Sequence, residues 1–153
     1  MRRSLPILAF LTVLLVTVFP LYAQYHEKKE AKLEESGKAQ AVSGGAKTQL
    51  AKPFAEVYEK TLNYLKKADY TIDSADKEAG QIVTAIVVTG GYRQTGTRVY
   101  VVFIKDSDSA TTIRVAVTEQ KRYKALQTEP WGDPKVNDKE SQRISNEIKA
   151  AMQ

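Results

Sequence analysis

The sequence has no cysteine and a single histidine, His26, among 153 residues. Without cysteine there is no disulfide framework, thiol nucleophile, iron–sulfur cluster or thiolate zinc site, and no lipobox thiol to carry an acyl anchor. One imidazole excludes a multi-histidine metal centre. There is one tryptophan, and the only long apolar run lies at the N-terminus. What remains is a chain with 42% apolar and 27% charged residues, a balance that suits one globular domain at a length of roughly 150 residues.

Met1 to Ala23 reads as an export signal: Arg2 and Arg3, an apolar run from Leu5 to Phe19, then Pro20 and a small residue at Ala23. The run is about 15 residues, short of the roughly 20 a membrane span needs. Cleavage after Ala23 is the expectation, although Leu21 is large for its position; the alternative is an uncleaved anchor. Loss of Arg2 and Arg3 lowers the formal charge from +5 to +3. That surplus is too small for nucleic-acid binding, which needs a dense basic patch. The expected location is therefore periplasmic or extracellular, with no stable membrane span once the signal is removed.

Residues 24–48 are rich in Lys, Glu, Ala, Gln, Ser and Gly and read as a flexible charged spacer. His26 lies in it as a solvated residue. The folded domain is expected over residues 49–153. Phe54, Val57, Tyr58, Thr61, Leu62 and Leu65 recur at helical spacing, with Pro53 suited to the first turn and Lys66 and Lys67 to the last. Tyr70 to Asp73 suggests a short strand. Gln81–Thr89, Thr97–Lys105 and Thr112–Tyr123 are long β-branched strands joined by hairpin-length loops. A second helix is expected from Asp138 to Met152, with Asn137 as N-cap and Glu140 as its reciprocal partner. The pattern predicts a two-layer α+β domain in which an N-terminal and a C-terminal helix pack on one face of an antiparallel sheet of three to four strands.

The run VYEKTLNYLKKADYTIDSADKEAGQIVTA, Val57 to Ala85, resembles the opening of small exported helix-grip domains, among them the C component of the outer-membrane β-barrel assembly machinery. The resemblance rests on Leu62, Leu65, Tyr70, Asp76, Gly80 and Ile82. This chain departs from that component in lacking the lipobox cysteine and in having one such domain. The resemblance implies an exported binding or scaffold module, often without catalysis.

Residue chemistry offers little to an enzyme. Asp73, Asp76 and Glu78 fall in or beside one polar turn, where such residues bond their own backbone. Asp106 and Asp108 begin like a calcium loop, but Ala110 and Val117 stand where ligands are required. Glu119 continues the parity of Ile113, Val115 and Val117; the favoured reading is a strand that ends or bulges there and leaves the carboxylate in water. No catalytic, metal or cofactor residue is assigned, so the expectation is no enzyme and no cofactor.

Binding is the better expectation. GGYRQTG, Gly90 to Gly96, offers Tyr92 and Arg93 at a glycine-rich tip, or simply a chain reversal. Trp131 in PWGDP serves as an anchor or packs over the core end. Strand Thr97–Lys105 is apolar on both parities, and two helices cover one face only. The other face, bordered by Arg98, Arg114 and Arg122 and carrying Tyr100, marks a protein or peptide partner, or a homodimer, unless the spacer or residues 124–136 shield it. The contact residues expected are Tyr92, Arg93, Arg98, Tyr100, Arg114 and Trp131. The alternative functions are a carrier of a small amphiphile between helix and sheet and, with least support, an envelope hydrolase.

Overall fold

The two amphipathic stripes fold as helices α1, Phe54–Lys67, and α2, Asp138–Ala151. α1 buries Val57, Tyr58, Thr61 and Leu65, the stripe its spacing requires. Pro53 stands at the N-cap with extended backbone, one step before the first turn, and its carbonyl accepts from Val57 N at 3.1 Å. The helix closes through Tyr70 N to Leu65 O at 3.0 Å and Asp69 N to Lys66 O at 3.2 Å. This paired closure needs a left-handed residue, which Asp69 supplies at φ 61°. In α2 the Asn137 side chain accepts from Glu140 N at 3.1 Å, as expected of an N-cap, while the Glu140 carboxylate turns away to Arg143.

The computed structural model describes residues 43–123 and 131–153, together with 28, 35, 36 and 39. The expected signal segment, His26 and most of the spacer and of the Lys124–Val136 section lie outside the described residues. The chain divides into two units, Met1–Glu34 and Glu35–Gln153, and everything below concerns the second.

The fold is α+β with an open antiparallel sheet of seven strands: β1 Ala46–Leu50, β2 Ile72–Asp76, β3 Gln81–Thr84, β4 Val87–Thr89, β5 Arg93–Lys105, β6 Thr111–Tyr123 and β7 Lys135–Val136. The expectation of three to four strands is corrected for three reasons. β1 occupies residues 46–48 of the expected spacer and pairs with β6, Ala46 opposite Val115 and Leu50 opposite Thr111. The expected strand Gln81–Thr89 is broken in two. β7 adds a short pairing on the same side of β6, Thr118 opposite Val136.

The break has a local cause. Ile82 is level with Val101 and Val87 with Thr97, so β3 and β4 contain one more residue than the stretch of β5 they face. That extra residue is a bulge at Ala85–Ile86. The Thr84 hydroxyl fills the gap by accepting from Val99 N at 3.0 Å.

β5 and β6 form the long central hairpin, paired from Arg93–Tyr123 to Lys105–Thr111. β1 and β7 flank β6, β3 and β4 flank β5, and β2 lies outside β3. One face meets both helices through Leu50, Val57, Leu65, Ile82, Val99, Val101, Phe103, Ile113, Val115, Val117, Ile144 and Ile148. α2 comes close because two of its buried positions are serines. The Ser145 and Thr48 hydroxyls share a hydrogen bond of 2.8 Å, and the Ser141 hydroxyl accepts from Val117 N at 2.9 Å and donates to Asn137 O at 2.7 Å.

Candidate binding surface

The core ends at the cross-strand pair Val99 and Val117. Beyond it the hairpin continues for six more residues, roughly 20 Å at strand rise, to Arg93 and Tyr123. This overhang has β4 on one flank and residues 131–136 on the other. The expected GGYRQTG loop is shorter than its glycines suggest, since β5 already begins at Arg93.

At its tip the Tyr92 and Tyr123 rings are 5.9 Å apart, and the Arg93 guanidinium lies 5.5 Å over the Tyr123 ring. Tyr92 is 66% exposed and Tyr123 47%. Further along the overhang, level with Thr97 and Gly96, Val87 and Val88 of β4 are 47% and 44% exposed. The structure thus joins Tyr92 and Arg93 through Tyr123, and the overhang also exposes Val87 and Val88, three residues beyond the expected contact set. Their signal was the uncharged run Thr84–Gly91 and the aromatic at the end of β6.

Trp131 is half-buried and does not join this tip. It lies on the face away from the helices, with the Arg122 guanidinium stacked 4.1 Å from its ring. Arg122 Nε donates to Gln94 Oε1 at 2.8 Å. A Cβ at Gly96 would lie 2.9 Å from both Ile86 Cγ2 and Trp131 Cη2. Glycine is therefore what lets the indole lie against the strand. Trp131 and Arg122 staple the overhang, a packing role for the tryptophan.

Further along that face the remaining expected contact residues are largely committed. Tyr100 stands between its cross-strand neighbours Val83 and Ala116, and the three form a second buried cluster in which Tyr100 is 4% exposed. Arg98 is 18% exposed and reaches Asp73 Oδ2 at 3.3 Å. Arg114 is half-buried, level with Val102 and Lys47. The centre of the second face is thus largely buried, and exposed apolar side chains remain at its ends, at Ile104 and Val88.

The strand edges differ in how they are guarded. β2 is an outer strand with Asp73 and Asp76 and a register shift between Ile72 and Ser74. β1 carries the exposed Lys47. β4 has no charge and no bulge within it, and no strand pairs with its outer edge among the described residues. β2 fills the outer row as far as Thr71, whose carbonyl accepts from Ala85 N at 2.8 Å. Level with β4 no described residue continues that row.

Asp76, Asp106, Asp108 and Glu119 have structural partners. Asp76 Oδ1 accepts from Ala79 N at 2.8 Å, closing its own turn. Asp106 Oδ2 accepts from the Thr112 hydroxyl at 2.7 Å, and Asp108 pairs with Lys105 at 2.8 Å. β6 stays regular through Tyr123, so Glu119 keeps the helix-side parity and is half-buried rather than free in water. Its Oε1 accepts from Asn137 Nδ2 at 2.7 Å, leaving Asn137 Oδ1 to cap α2. Glu119 therefore orients the N-cap.

Among the described residues no three His, Cys, Asp or Glu side chains converge as a metal site, and no helix is long and apolar enough to cross a membrane. The space between helices and sheet is filled by Val57, Leu65, Ile144 and Ile148. A groove of about 460 Å³ lies instead near the C-terminal ends of the helices, lined by Lys60, Asn63, Tyr64, Lys67, Ala68 and Ala151. Comparison with protein-family models and with curated protein sequences gives no match for this chain.

Proposed function

We propose that the protein is an exported, non-catalytic binding module of the bacterial cell envelope, and that it takes an extended segment of a partner protein as an added strand on β4. The carrying observation is the β4 edge, which carries no charge and which no strand pairs among the described residues, between β2 and the Tyr92 turn. An edge of this kind supplies backbone donors and acceptors to an incoming strand, while exposed Val87 and Val88 offer apolar contact on the two faces. Natural edges are normally protected by charge or bulges, as β2 is here. The resemblance to helix-grip envelope domains agrees with a scaffold role.

A photo-crosslinker placed at Val88 in the native envelope tests the reading, with Ser107 at the opposite end of the hairpin as control. One protein adduct specific to position 88 and lost in Thr89→Lys is the expected result. No adduct, or the same adducts from both positions, overturns it.

A further inference from the structure

The two ends of the central hairpin carry opposite chemistry. The turn between β5 and β6, Asp106–Ala110, holds two aspartates and two serines, and the nearest lysine, Lys105, is paired with Asp108. The other end presents Tyr92, Tyr123, Arg93 and Lys121, all exposed, and neither Arg93 nor Lys121 has a carboxylate partner among the described residues. The nearby carboxylate of Glu119 is occupied by Asn137. Thirteen residues of strand, roughly 40 Å, separate the two ends.

We infer that the Tyr92–Tyr123 end of the overhang docks on an anionic lipid surface. Tyrosine has an apolar ring and a polar tip, and arginine and lysine have apolar stems beneath a charged head, so this mixture suits the headgroup boundary of a bilayer. Charge complementarity decides the occupant and its polarity. An anionic surface attracts the Arg93 and Lys121 end and repels the Asp106 and Asp108 end, so the hairpin stands with its aromatic end toward the lipid. Each such cation near an anionic leaflet adds a binding contribution that fades within a Debye length and is screened by salt. The docking is independent of strand addition at β4, because lipid vesicles contain no protein partner.

The test is flotation of the full-length protein with vesicles of equimolar phosphatidylglycerol and phosphatidylcholine, followed by amide hydrogen exchange of the vesicle-bound protein. Expected are binding at low ionic strength that falls with added salt, and slowed exchange confined to residues 87–95 and 118–123. R93E/K121E should weaken partitioning by at least about tenfold, given the loss and reversal of two cations. Y92A/Y123A should weaken it as well. The N-terminal apolar segment is common to all the proteins, so the differences between variants and the exchange footprint carry the result. Unchanged exchange at Val99–Phe103 in free solution confirms that the variants are folded, and the wild-type footprint stands without them. The inference is overturned by a protein that stays in solution, equal binding to pure phosphatidylcholine, variants that float like the wild type, or protection at residues 105–112 instead.

Discussion

The helix-backed half of the sheet and the overhang are made from the same two strands, yet they are held together differently. In the backed half, alternate residues from Val99 to Phe103 and from Ile113 to Val117 meet two helices, and the buried side chains are almost all aliphatic. Past Val99 and Val117 the same parity reads Thr97, Thr95 and Arg93 on one strand and Glu119, Lys121 and Tyr123 on the other. Among the described residues no aliphatic core lies there, and the strands are kept in register by the ladder, the Trp131–Arg122–Gln94 staple and the close approach at Gly96. The lesson is that one hairpin can be anchored at one end and left free to present side chains at the other.

The largest test of this contrast lies in the backed half. Ile144 is 1% exposed and packs in the main cluster, so Ile144→Ala should cost about 2–5 kcal/mol of global stability through lost burial and the cavity left behind. Urea unfolding should show the lower midpoint, with amide exchange accelerated throughout the core. The counterpart in the overhang is Trp131→Ala. Its indole is half-buried and stacks on one cation, so the global cost should be smaller, about 1–3 kcal/mol. Exchange should quicken at residues 93–97 and 119–123 well before Val101 or Val115 respond. If both substitutions loosened the whole sheet equally, the division into two regions would be wrong.

Asn137→Ala tests the boundary between them. It removes the N-cap of α2 and the hydrogen bond to Glu119, the point where the helix layer stops. A loss of about 1 kcal/mol is expected, read as a lower thermal midpoint with fraying of the first turn of α2. Glu119→Gln, which keeps an acceptor for Asn137 Nδ2, should lose less.

Much of the backed half was legible in the sequence because its periodicities are strong. The α1 stripe, the Asn137 cap and the order of the long strands follow from apolar spacing and cap chemistry. β1 was not legible: AKTQL has apolar residues only at Ala46 and Leu50, and its middle inward residue, Thr48, is satisfied by Ser145 from a helix 97 positions away. The glycine before it was equally opaque, although a Cβ at Gly45 would lie 2.3 Å from Val115 O and its φ is +77°. The split of Gln81–Thr89 was hidden because a bulge leaves no mark in a run of β-branched residues. Apolar residues on both parities of β5 signalled two apolar faces, but composition could not tell that Val83, Tyr100 and Ala116 on the second face are buried. The part of the candidate surface that was legible, Tyr92 and Arg93, is the part that glycines and exposed aromatics announce locally. Trp131, Arg98 and Tyr100 depended on long-range packing.

The smallest expected effect concerns how the two helices of the backed half hold each other at its surface, and it is set by pH. The Tyr64 hydroxyl donates to Glu147 Oε2, and Arg143 Nη1 donates to Glu147 Oε1 at 2.7 Å, so a residue of α1 and two of α2 form one network. The hydrogen bond from Tyr64, then that from Arg143, holds the Glu147 carboxyl below its ordinary value of 4.5. Burial first, and the Glu147 hydrogen bond second, push Tyr64 above its ordinary 10.0. A lowered carboxyl pKa favours the folded state fully above pH 4.5, and this contribution is lost as pH falls through the depressed folded value. A raised tyrosine pKa favours the folded state fully below pH 10.0, and this contribution is lost as pH rises toward the elevated folded value. The network should therefore contribute most between these limits. Because Glu147 is partly solvated, the gain should be at most about 1 kcal/mol. Thermal midpoints of wild type and Glu147→Gln, measured across pH, should differ most near neutrality and converge in acid. A constant difference at every pH would mean that packing, and not the charge on Glu147, joins the helices there.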